Sequence, residues 1–196
     1  MGPCLSYGEK NKCNWDPLKN IIMRFLSLLL IAFMVSTGVA NAQTQEEMDA
    51  SLERVKKLEK LTKKAPKPAE VAEVAEFVSA VYDASKATIG ISNKIHEYNA
   101  KINDPATTLA DYEGILKDLV ELKTDIENQA NTIKEFPNKL TSMSEIVKGA
   151  DPKAALTCAK PMKFAAQATP VVGAESAFQA KVVVELITFV TEKVQK

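Results

Sequence analysis

Phe77, Val81, Ala84, Thr88, Ile91, Ile95, Tyr98 and Ile102 succeed one another at spacings of four, three, four, three, four, three and four residues. A strand alternates its faces every two residues, so this series shares one face only on an α-helix. Sustained over about 25 residues, it is the seam of a coiled-coil-like helix. A helix with one apolar stripe draws most of its stability from the partner that covers the stripe. The chain must therefore supply further helices.

Those helices are legible between its prolines and glycines. Residues 44–64 open with Thr44 and Glu47 as a capping box, each side chain satisfying an otherwise unpaired amide. Met48, Leu52, Val55, Leu58 and Leu61 form a narrow stripe, and Ala65-Pro66-Lys67-Pro68 ends the segment. The seam helix is expected over 68–103. Pro68 stands in its first turn, and Glu70, Glu73 and Glu76 lie near the positive end of the helix dipole. A third helix starts at Thr108, with Asp111 completing a second capping box. Its seam is Leu109, Tyr112, Leu116, Leu119, Ile126, Ala130 and Ile133, widened by Ile115 and Leu122. Pro137 kinks or interrupts it. Leu140, Met143, Ile146 and Val147 then resume the period until Gly149, placed at C′.

Asp151-Pro152 reads as an N-cap followed by proline at N1. The helix it opens runs to 166 with a kink at Pro161, and Thr169-Pro170 breaks the chain. The last helix, 171–194, is the most apolar. Lys181, Glu185, Thr188, Glu192 and Gln195 leave it one polar stripe, so most of its circumference, Leu186 and Phe189 included, should be buried. A strand at Val182-Val183-Val184 is the competing reading. The fold expected is all-α: an elongated antiparallel, up-and-down bundle of four main helices within 67–196. An additional N-terminal helix within 43–66 is either a further member of the bundle or a detached arm.

Ahead of these helices stands an export signal. Met23-Arg24 gives a positive start, Phe25 to Val35 is an apolar run broken only by Ser27, and Ala40-Asn41-Ala42 places small residues at −3 and −1 before Gln43. Signal peptidase has shallow pockets at those two positions. Ala40, Ala42 and Gln43 are thus the expected cleavage residues, and 23–42 the signal peptide. The competing reading is a membrane anchor, but the apolar core is shorter than the about 20 residues that span a bilayer. Residues 1–22 hold Cys4, Cys13 and Trp15 without helical period. They are either an extension upstream of a true start at Met23 or a long n-region. Cleavage would leave an exported chain, periplasmic or extracellular, with a signal of bacterial brevity.

The whole chain carries 25 basic and 25 acidic residues, without the basic excess of a nucleic-acid binder, so no nucleic-acid partner is expected. From Gln43 on, Cys158 is the one cysteine, and its small and apolar neighbours favour a buried thiol. His96, the one histidine, has Ser92, Asn93, Asn99 and Ala100 as helical neighbours, none a strong metal ligand. It is expected at a surface or helix boundary. Asp111, Asp118, Glu121 and Asp125 run along one side of the third helix, and a row does not converge on a cation. Four glycines after Gln43 leave little for phosphate-cradling loops, and no nucleophile motif occurs. The expectation is a protein without catalysis, cofactor or metal, acting by interaction with an unidentified protein partner or as a structural element. The alternative is a bundle that carries an apolar ligand or touches lipid through helix 171–194; membrane contact is not favoured.

Overall fold

The computed structural model describes residues 45–195. The export pattern with Ala40, Ala42 and Gln43 lies outside them, as does Thr44 of the first capping box. Five helical segments follow in order: α1 over residues 45–62, α2 Ala72–Ile102, α3 Leu109–Ile133, α4 Phe136–Gly149 and α5 Pro152–Val194. No strand occurs among the described residues, and Val182-Val183-Val184 is helical.

The seam of α2 is buried at Phe77, Val81, Ala84, Thr88, Ile95 and Ile102; Ile91 and Tyr98 are half-buried beside it. The helix starts later than expected. Residues 65–71 are non-helical, and the Glu70 amide donates to Thr157 Oγ1, tying the segment to the first turns of α5. Pro68 therefore lies outside the helix, and of the three carboxylates only Glu73 sits in the first turn.

The third expected helix is two. α3 begins on the reciprocal Thr108–Asp111 capping box and ends at Ile133; α4 resumes at Phe136 with Pro137 in its first turn. Phe136 is buried edge-on against Phe77, with ring centroids 6.0 Å apart. The core of α3 is Ile115, Leu119, Leu122, Ile126 and Ile133, so the residues expected to widen the seam are its centre. Leu109 at its start is exposed. Gly149 is the last residue of α4, and extended Ala150 makes the exit.

The two last expected helices are one. α5 runs 43 residues, about 64 Å at ~1.5 Å per residue, passing through both Pro161 and Pro170. A proline costs its helix one hydrogen bond and a ring clash. Around Pro170, an exposed position, Ala165, Ala168, Val171 and Val172 are all buried, and that packing holds the backbone helical. Asp151 caps the start by accepting from the Lys153 and Ala154 amides.

The core forms two apolar clusters along the length of the bundle. One joins Leu58, Val74 to Ala84, Ile133, Phe136 and the Cys158–Val172 part of α5. The other joins Met48, Ile95, Ile102, Ile115 to Ile126 and the Phe178–Val190 part of α5. Followed from one cluster to the other, α2 and α5 run one way, α1 and the α3–α4 rod the opposite way. Successive rods are therefore antiparallel, in the up-and-down order. α1 is a packed member and not an arm: Met48, Ser51, Val55 and Leu58 are buried. Leu52, expected in its stripe, is exposed.

Candidate functional site

Between the two apolar clusters lies a polar layer. Ala168, Val172, Glu175, Gln179, Val182 and Leu186 follow the four–three spacing along α5, so Glu175 and Gln179 occupy core positions. Both are fully buried. A buried carboxylate persists only if its charge is paired and its oxygens are hydrogen-bonded. Arg54 Nε of α1 donates to Glu175 Oε2 at 2.6 Å, and Ser51 and Ser92 each donate a hydroxyl to Oε1 at 2.5 Å. Gln179 Nε2 donates to Ser92 Oγ and to the Thr88 carbonyl, at 2.7 and 2.8 Å. Across α2, Gln129 Nε2 donates to Thr88 Oγ1 and to the Ala84 carbonyl, at 2.7 and 3.0 Å. The layer thus ties α1, α2, α3 and α5 at one level.

His96 belongs to this layer and not to the surface or a helix end. It is half-buried in the middle of α2, 3.1 Å from Ser51 Oγ. The Ser51 proton is committed to Glu175, so the imidazole donates through Nε2–H. Burial holds the ring's pKa below the ordinary histidine value, outweighing the pull of Glu175 and Asp49, which favours its neutral form. The ring stacks on Phe178 at 6.4 Å, and the Arg54 guanidinium lies over the Phe178 ring at 5.4 Å. Both oxygens of Glu175 are occupied by donors, and the arrangement does the work of a clamp: it fixes the level at which the helices meet.

The other singled-out residues do not join it. Cys158 is a free, fully buried thiol in the first apolar cluster. Asp111, Asp118, Glu121 and Asp125 are exposed along α3. Asp111 is engaged in the capping box, and Asp118 accepts from the Tyr98 hydroxyl at 3.0 Å. No helix among the described residues is long and apolar enough to cross a membrane.

The same level divides the charge of the chain. The half holding the first cluster, residues 54–88 and 130–172, carries 14 Lys+Arg against 8 Asp+Glu. The half holding the second, residues 47–53, 89–129 and 173–195, carries 6 against 14. A nearly neutral total therefore conceals one half at +6 and the other at −8. At the edge of the basic half, α1 and α5 flank an open groove of about 560 Å³, walled by Glu53, Arg54, Lys56, Lys57 and Lys60 on one side and by Pro170, Val171 and Ala174 on the other; Glu53 is paired with Lys56.

Sequence reading missed this layer. Two signals were present: Arg54 is the one arginine after Arg24 in a lysine-rich chain, and the α5 seam runs through Glu175 and Gln179. No family model matches the chain, and neither a curated protein nor a solved structure matches it.

Proposed function

We propose that the chain is an exported, non-catalytic helical bundle that acts by surface interaction or as a structural element. Export rests on the pattern from Met23 to Gln43. The interaction reading rests on one observation above all: α5, the helix with the largest apolar surface, turns most of that surface into the core, leaving Leu156, Val184 and Phe189 exposed at separate points. Val171, Val172, Phe178, Val182, Val183, Leu186 and Val190 are all buried against the other helices. This packing leaves an apolar cargo no broad face on α5, and leaves the charge-divided exterior as the feature available to partners.

The test uses protein exported by a Gram-negative host, first sequenced from its N-terminus, where Gln43 is expected. Titration with Nile red, a neutral apolar probe, should give no saturable fluorescence rise under native conditions. Saturable, stoichiometric binding would replace this reading with that of an apolar-ligand carrier, and an uncut N-terminus would remove the export part.

A further inference from the structure

We infer that the basic half docks on an anionic phospholipid surface, through a stripe of α5 and the adjoining end of α1. The inference rests on the reading of the exterior as the contact surface, and differs from the lipid alternative weighed for helix 171–194 in placing the contact on a basic face and not on buried apolar surface. Leu156 is the most exposed large apolar residue described, at 76%. From it, Lys160, Lys163, Gln167, Pro170 and Ala174 succeed one another at spacings of four, three, four, three and four, and all are exposed. Eighteen residues make about five helical turns, so Leu156 and Ala174 lie on one line of the helix. Pro170 and Ala174 are the wall of the α1–α5 groove whose other wall carries Lys57 and Lys60. At the Leu156 end, the Glu70–Thr157 hydrogen bond brings the segment after α1 against α5, just beyond Lys63 and Lys64. One continuous face therefore carries a protruding leucine and six lysines. All six are exposed, and none makes an ion pair or a side-chain hydrogen bond among the described residues.

This combination fits a bilayer surface better than a polyanion in water. Lysines near an anionic leaflet are attracted within a Debye length, and an apolar side chain among them reaches the headgroup–acyl boundary. A leucine held out in water gains nothing from a purely ionic partner.

The experiment is co-sedimentation of the exported protein, with its N-terminus at Gln43, with vesicles of phosphatidylcholine, alone or with about 30 mol% phosphatidylglycerol, at about 0.1 M salt. Neutral vesicles register any affinity that does not depend on lipid charge, which every variant shares. Phosphatidylglycerol should raise binding about tenfold or more, at about fivefold per engaged lysine, and about 0.5 M salt should remove the increment. Changing Lys57, Lys60, Lys63 and Lys64 to Gln should abolish the increment, and Leu156→Ser should lower it several-fold. Lys117→Gln with Lys123→Gln, on α3 in the acidic half, should leave it intact. Lys63 and Lys64 lie in the turn after α1 and the other changed side chains on helix surfaces, and unchanged far-UV dichroism verifies folding. Equal binding to both vesicle types, or an increment untouched by the four lysine changes, would overturn the proposal. So would duplex DNA bound as tightly as the vesicles and indifferent to Leu156→Ser. Nile red binding reports separately on the interaction reading, so the two fail independently.

Discussion

Glu175 stands with no exposed surface in a layer of short hydrogen bonds, and the energetics of its partners are unequal. Arg54 keeps about a quarter of its side chain in solvent. Without Glu175 it can be hydrated; without Arg54 the carboxylate stays buried and unpaired. Arg54→Met should therefore cost about 3–5 kcal/mol. Glu175→Leu, which leaves two small hydroxyls to find new partners, should cost less than about 2 kcal/mol. The double variant should lie near the Glu175→Leu value and not near the sum, because the two residues share one interaction. Urea denaturation of the three variants reads these values, and additive losses would mean that the ion pair is not coupled. The site was only partly readable beforehand, for a physical reason. Glu175 follows a solvated pattern by type and a core pattern by position, and position wins only when another element brings the counter-charge. That element, α1, is more than a hundred residues away in sequence.

Helices were readable wherever local chemistry decided them. The Thr108–Asp111 box and the Asp151 cap operate as their residue types dictate. The seam of α2 buries the residues its spacing selects, apart from two at its edge. Reading failed where tertiary packing overrides a local rule. Thr169-Pro170 has the signature of a break, but α5 continues because its neighbours on the other faces are buried. In α3, Ile115 and Leu122 displace Leu109 from the core because the helix is turned by the partners it meets. If packing holds α5 against its own proline, removing that proline should help. Pro170→Ala restores an amide donor to the Ala166 carbonyl at an exposed position. It should stabilise the bundle by about 1–3 kcal/mol, after allowing for the looser unfolded chain. A higher urea midpoint at unchanged m-value is the expected outcome. A lower midpoint would show that the local geometry requires proline.

At the scale of the molecule, two apolar clusters and two opposite charges meet at one polar level, with α5 passing through all of it. Zero net charge was a sound reason to doubt a uniformly basic surface, but a total is blind to distribution along a rod. Antiparallel packing is what sorts the charges. The acidic start of α1 shares one end of the bundle with the acidic α3, and its lysine-rich end shares the other with the start of α5. α5 faces inward along the side that carries Leu186. Phe189, expected in the core by its composition, is 40% exposed with the Lys193 ammonium 5.1 Å from its ring centre, while Leu186 is 7% exposed. The most direct measurement is paired denaturation of Leu186→Ala and Phe189→Ala. Leu186→Ala should lose about 2–5 kcal/mol through lost burial and a cavity. Phe189→Ala, the larger truncation, should lose less than about 1.5 kcal/mol because much of its ring already meets water. If Phe189→Ala is the more damaging change, α5 is rotated relative to this account. Its apolar side would then face outward, and the interaction reading would fall with it.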